Sequence, residues 1–158
     1  MPSPATPPEL DPATERQLAA ALYNEVWALL EREDRSADET DRMIHAAHAS
    51  RHHWSVVGQP VNRARGEWLC SRVYAVLARP EPALWHARRC LEILEAGAGG
   101  EEDWDLPAAY EAMARAYAIA GEAGEAAHWR DRGQTASAAI ADPEGRELIE
   151  SDLASIPI

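Results

Sequence analysis

Hydrophobic residues recur at steps of three and four through most of the chain, and this period predicts α-helices. A first helix is predicted from residue 12 to about 33, because Asp11 and Pro12 form a helix start and apolar residues follow on one face: Leu18, Leu22, Val26, Leu29 and Leu30. A second is predicted to start at Ser36 or Asp38 and to run to residue 57, before Gly58. Residues 1–11 are proline-rich and lack this period, so we expect a disordered leader there.

The same pattern predicts five further helices. A third covers residues 62–78, and a proline-rich turn at 79–82 separates it from a fourth at 82–96. The glycine-rich, then acidic stretch 97–106 is a loop, and helices at 107–120 and 122–139 follow it. Asp142 and Pro143 begin a short last helix over 143–154, which we interpret as a terminal cap. The prediction is one all-α domain over 12–158, with helical hairpins at about 12–57, 62–96 and 107–139.

An internal spacing relates the second and third hairpins. Tyr74 and Tyr117 are 43 residues apart, and so are Ala83 and Ala126. The third hairpin carries bulky, small, aromatic and glycine residues in the order found in tetratricopeptide repeats, namely Tyr110, Met113, Ala114, Tyr117, Gly121 and Ala126. The chain resembles that family over 62–139, and the first hairpin is repeat-like. The resemblance implies three antiparallel hairpins stacked as a right-handed superhelix, with a C-terminal capping helix.

Charge and cysteine content narrow the function classes. The formal net charge of -12 argues against a nucleic-acid binder, because a phosphate backbone attracts a basic surface. Residues 61–90 nevertheless carry six arginines and two acids, which makes this segment a basic island. The two cysteines show no zinc-finger or redox spacing, so we expect a reducing, cytoplasmic location. No export signal or membrane-spanning segment is indicated.

The basic island contains the first candidate site. Arg65, Trp68 and Arg72 follow one another at helical steps on one side of the third predicted helix. Guanidinium groups bind carboxylates through paired hydrogen bonds, and indole provides an apolar anchor, so this surface suits an acidic or extended peptide. The resemblance implies that the groove also includes Val76, Glu111 and Arg115. The alternative is a solvated face whose arginines pair with nearby acids of the same chain.

A histidine cluster is the second candidate. His45, His48 and His52 fall within an arc of roughly 60° on the second predicted helix, and a histidine pair spaced i, i+4 binds transition metals such as zinc. The alternative is that these histidines are structural or incidental. His86 and His128 are predicted to be partly buried packing residues.

No catalytic motif is present: the sequence lacks a nucleophile elbow, a phosphate-binding glycine loop and a His-Glu-x-x-His pair. We therefore expect a non-enzymatic scaffold or adaptor that binds a protein partner and needs no cofactor. The alternative is a metal-binding sensor or metal-dependent enzyme that uses the histidine cluster. A homodimer is a third option, because the acidic C-terminal third complements the basic island.

Overall fold

The computed structural model describes residues 1, 5–97 and 99–158, and in this part of the chain all regular secondary structure is α-helical. The helices are α1 (Pro12–Leu30), α2 (Ala37–Val57), α3 (Pro60–Val76), α4 (Pro80–Glu95), α5 (Asp105–Ile119), α6 (Ala123–Ser137) and α7 (Pro143–Ala154). For these described residues, the predicted all-α class and the seven predicted helices are confirmed. Residues 5–10 are exposed and have no regular secondary structure, and residues 2–4 of the predicted leader lie outside the described part.

Polar caps and prolines explain where the helices begin. The side chain of Asp11 accepts hydrogen bonds from the backbone N–H groups of Ala13 and Thr14, both at 3.1 Å, at the start of α1. Ser36 and Glu39 form a reciprocal capping box at the start of α2. Pro60 begins α3 two residues earlier than predicted, because proline lacks the N–H group that a first helical turn leaves unpaired.

Consecutive helices pack as three pairs, α1 with α2, α3 with α4 and α5 with α6. Short turns join the helices of each pair, so they run antiparallel as hairpins. The pairs contact one another through α2 with α3 and α4 with α5, and the first helices also meet, α1 with α3 and α3 with α5. The last helix, α7, packs on α5 and α6. This arrangement brings α1, α3, α5 and α7 together around one space.

The turns of the second and third hairpins have the same backbone geometry. Ala78 and Gly121 both have positive φ, at 54° and 79°. The following residue closes each turn with a backbone hydrogen bond to the residue five positions earlier, from Arg79 to Tyr74 at 2.9 Å and from Glu122 to Tyr117 at 3.0 Å. The internal spacing of 43 residues therefore relates two structurally equivalent turns.

Alanines make up much of the core where helices cross closely. Ala83 and Ala87 of α4 and Ala109 and Ala116 of α5 are completely buried. Their small side chains let the helix backbones approach, while larger residues such as Tyr110 fill the remaining space. No helix in the described residues is long and apolar enough to cross a membrane.

Candidate functional site

The space between α1, α3, α5 and α7 contains a cavity of about 220 Å³, which we call the central cavity. Aromatic residues from three parts of the chain line it, including Tyr23 and Trp27 of α1, Trp68 of α3 and Trp104 before α5. Trp27 and Trp68 stack with ring centroids 5.7 Å apart. A second cavity of about 310 Å³ shares Tyr23 and Trp104 with it and continues along α1 and α3. The two cavities also share Arg65, and we call them together the α1 and α3 track.

The side chain of Leu148 on α7 also lines the central cavity and is 64% exposed. Ile149, which also lines the cavity, and Leu153 of the same helix are buried together with α5 residues. The helix therefore covers one side of the track with its apolar face and leaves Leu148 accessible at the opening of the cavity.

Arg65 pairs with a buried carboxylate at the edge of this cavity. Its Nε and Nη2 atoms donate hydrogen bonds of 2.9 and 2.8 Å to the two carboxylate oxygens of Asp105, which is 3% exposed. The guanidinium carbon also lies 4.4 Å from the centre of the Trp104 ring, a cation–π contact. The hydrogen bond to Asp105 raises the pKa of Arg65 above its already high ordinary value. The cation is thus held between a carboxylate and an indole of its own chain.

Arg72 and Arg115 share one buried carboxylate, that of Glu111. Arg72 Nη1 donates to Glu111 Oε1 at 3.0 Å, and Arg115 Nε donates to the same oxygen at 2.5 Å. Arg72 also reaches Asp152 of α7 at 3.1 Å, while Arg115 reaches the backbone oxygen of Asp152 and the hydroxyl of Ser155, both at 2.8 Å. These three residues, predicted to bind peptide, connect α3, α5 and α7.

The remaining predicted groove residues differ in position. Trp68 is on the wall of the central cavity, whereas Val76 is 44% exposed near the end of α3 and does not line it. Glu111 is 1% exposed, so it reaches solvent far less than a peptide-contacting residue would. These ion pairs match the alternative interpretation, in which the arginines pair with acids of the same chain. The accessible apolar surface is provided by the aromatic residues that line the central cavity.

The three histidines predicted to share a metal differ in burial and in their surroundings. His45 and His52 are exposed, whereas His48 is partly buried and faces α3 and α4. Its Nδ1 lies 4.0 Å from the sulfur of Cys70, and its ring centroid lies 5.2 Å from that of His86. One ligand atom from each of His48, Cys70 and His86 lies within 4.8 Å of the others, and we call these three residues the His/Cys cluster.

Hydrogen bonds orient both imidazoles of the His/Cys cluster. His48 Nε2 lies 2.9 Å from the Tyr74 hydroxyl, and His86 Nδ1 lies 2.5 Å from Glu67 Oε2. Arg51 Nε donates to the other oxygen of Glu67 at 2.8 Å. Burial alone would raise the pKa of Glu67. The hydrogen bonds from His86 and Arg51 nevertheless hold that pKa below its ordinary value.

Burial also determines the protonation of His48 and Cys70. Burial, with the neighbouring His86, lowers the pKa of His48, so this imidazole is neutral at neutral pH. Burial raises the pKa of the Cys70 thiol to about 12, so it stays protonated unless something replaces the proton. A neutral imidazole and a thiol are therefore placed side by side.

Cys70 and His86 were not predicted to be metal ligands. They lie 22 and 38 residues beyond His48, on separate helices, and no short motif joins them. Their one shared signal is a position on the buried side of a helical pattern. His86 is partly buried as predicted, whereas the same prediction for His128 is wrong, since that residue is exposed.

Comparison of the chain with protein-family models, with curated proteins and with solved structures finds no significant match. The function proposed below therefore depends on the residues and geometry of this chain.

Proposed function

We propose that this protein is a non-enzymatic scaffold of the tetratricopeptide type that binds an extended peptide segment along the α1 and α3 track, with one large apolar side chain in the central cavity. The observation that carries the proposal is the accessible aromatic cavity between the first helices of the three hairpins. In this proposal the hairpins stack as a right-handed superhelix and α7 is the terminal cap.

The equivalent turns at Ala78 and Gly121 support the repeat interpretation. Repeated hairpins cannot bury their apolar faces alone and stack on their neighbours, as α3 with α4 and α5 with α6 do here. A spacing of 43 residues that also conserves turn geometry is what a duplicated hairpin with an enlarged loop would show.

The size of the central cavity favours a side chain as its occupant. At about 220 Å³ it is smaller than the roughly 300–1,000 Å³ of typical small-molecule pockets. The adjoining cavity continues the track, and the exposed Asn24 lies on its wall. A primary amide both donates and accepts hydrogen bonds, so it suits the backbone of an extended peptide.

The ion pairs around the central cavity indicate that an apolar residue of the partner contributes more to the binding free energy than its acidic residues do. Arg65 and Arg72 already bind Asp105 and Asp152, and a partner carboxylate would have to displace these groups. Separating a partly buried ion pair leaves a desolvated charge without a partner, which is costly. We therefore expect an apolar residue to define the binding sequence, with acidic flanks as a secondary preference.

We also propose a cytoplasmic location. Both Cys70 and Cys90 are free and buried, and free thiols persist in reducing compartments.

The test is selection of a random peptide library displayed on phage against the immobilised protein, followed by fluorescence anisotropy with the selected synthetic peptide. We expect the selected sequences to share one large apolar residue. Leu148→Glu places a charge at the opening of the cavity on an exposed position, so we expect at least a tenfold loss of affinity with the fold intact. Trp27→Ala, which removes part of the wall, should have an equal or larger effect.

The matched control is Trp85→Ala, because Trp85 is 59% exposed on α4 and does not line the central cavity. Equal affinity of the parent and Leu148→Glu for the selected peptide would reject the cavity as the binding site. Raising salt from about 0.1 M to about 1 M shortens the Debye length from about 10 Å to about 3 Å, so a steep loss of affinity would favour the acidic-peptide alternative. Association into dimers at low salt that competes with the peptide would identify a second copy as the occupant.

A further inference from the structure

We propose that His48, Cys70 and His86 form a zinc-binding site between α2, α3 and α4, with water as the fourth ligand. One sulfur and two imidazole nitrogens suit this ion, which binds such mixed sets in tetrahedral geometry. The site does not depend on the proposed peptide-binding function, because its ligands lie outside the central cavity.

The distances within the His/Cys cluster match a site that closes by small movements. Zinc binds nitrogen and sulfur at about 2.0–2.3 Å, which places tetrahedral ligand atoms about 3.5 Å apart. The sulfur of Cys70 and the Nδ1 atom of His48 are already 4.0 Å apart, and all three ligand atoms are within 4.8 Å of one another. The ligand atoms therefore need to approach one another by about 0.5 to 1.3 Å, which rotation of the partly buried His48 and His86 side chains is sufficient to achieve.

Hydrogen bonds select the nitrogen that each imidazole would offer. Tyr74 is bonded to Nε2 of His48, which leaves Nδ1, the atom nearest to Cys70, to bind the metal. Glu67 accepts from Nδ1 of His86, which leaves the lone pair on Nε2. A carboxylate or hydroxyl behind a ligand histidine fixes its tautomer and ring orientation, as is usual in metal sites. The Tyr74 ring also stacks on His86, with the planes 7° apart.

Cys70 supplies the negative charge among the three ligands. On binding, the Cys70 thiol would lose its proton to solvent and bind as thiolate, with both imidazoles neutral. One thiolate and two neutral imidazoles leave the zinc with a single net positive charge. The Glu67 carboxylate orients His86, and its own negative charge is paired with Arg51. His48 and His86 are only partly buried, so the ion and its water can reach the cluster from solvent.

The experiment uses the full chain, stripped of metal with a chelator and kept reduced with a phosphine. Cobalt(II) is the spectroscopic probe, because a thiolate bound to cobalt gives a charge-transfer band, and zinc is then added to displace it. We expect one metal per chain and complete displacement of cobalt by zinc. Cys70→Ser should remove the charge-transfer band, and His48→Gln and His86→Gln should each weaken binding at least tenfold.

Two control variants carry the same types of substitution, cysteine to serine and histidine to glutamine, at positions outside the His/Cys cluster. Cys90→Ser changes the second buried thiol, and His52→Gln changes an exposed histidine of the same helix as His48. We expect both controls to bind cobalt and zinc like the parent. Circular dichroism establishes that each variant is folded, and His48→Gln, at a partly exposed position, provides the result if Cys70→Ser does not fold.

The proposal is overturned if the reduced parent binds no zinc at micromolar protein concentration. It is also overturned if Cys70→Ser and His48→Gln both bind zinc as tightly as the parent, or if His52→Gln loses binding instead. Binding of copper without binding of zinc would also reject zinc as the metal. Copper binding by itself does not identify a zinc site, because copper binds nitrogen and sulfur sites more tightly in general.

Discussion

Glu111 stabilises the contact of α3, α5 and α7, so we expect its replacement by alanine to reduce the free energy of unfolding by about 3 kcal/mol. Removing one partner of a buried ion pair typically costs about 3–5 kcal/mol. The lower end applies because Arg72 keeps Asp152, and Arg115 keeps the Asp152 backbone and Ser155. Domains are stable by about 5–15 kcal/mol, so the variant should still fold.

The assay is urea unfolding followed by far-ultraviolet circular dichroism, with the slope of the free energy against urea compared between variants. Glu111→Gln is an informative intermediate, because both arginines bind the same oxygen, Oε1, and the amide retains an oxygen acceptor. Bonds to a charged group contribute about 1.5–3 kcal/mol and neutral ones about 0.5–1.5 kcal/mol, so glutamine should lose about half as much as alanine.

The control is Glu92→Ala, which removes an ion pair with Arg89 on the exposed face of α4. Exposed pairs contribute about 0–1 kcal/mol, so this variant should unfold almost like the parent. If Glu111→Ala loses no more stability than Glu92→Ala, the buried network does not hold the helices together. The peptide-binding role predicted for Glu111 would then deserve a direct test by anisotropy.

Three further predictions concern turns, packing and pH. In urea unfolding, Ala78→Gly should gain and Gly121→Ala should lose about 1 kcal/mol, because both positions have positive φ, where a Cβ is unfavourable. Gly133→Val should lose about 1–3 kcal/mol in the same assay, since a Cβ there lies 2.7 Å from a methyl group of α7. The hydrogen bond from the Ser36 backbone N–H is the main cause that lowers the pKa of Glu39. The ionised Glu39 carboxylate therefore stabilises the fold at pH values above the ordinary carboxyl pKa. This stabilising effect should disappear as the pH falls below about 4, and thermal melting of the parent and Glu39→Gln should converge there.

The helices and many of their ends follow from local sequence. The steps of three and four between apolar residues predicted all seven helices, and the caps at Asp11, Ser36 and Asp142 are where the polar residues indicated. Such features are local, because a helical period and a cap involve residues within one or two turns. The helix pairs that pack together in the structure are the pairs that the predicted hairpins at about 12–57, 62–96 and 107–139 contain.

The partners of the arginines depend on tertiary contacts. Arg65 pairs 40 residues away with Asp105, and Arg72 pairs 39 residues away with Glu111 and 80 residues away with Asp152. A helical pattern places these arginines on one face but does not say which carboxylates another helix brings opposite that face. The sequence contains many acidic residues, so it was equally compatible with arginines paired to these acids and with arginines available to a peptide.

The same reasoning explains the His/Cys cluster. The helical arc places His45, His48 and His52 on one side of α2, but the rotation of α2 against α3 and α4 decides that His48 alone meets Cys70 and His86. That rotation results from side chains of three helices packing at once, and no single segment contains it. The periodic sequence thus specifies which residues become helix and which face is buried, while the packing of the hairpins determines which distant side chains share a site.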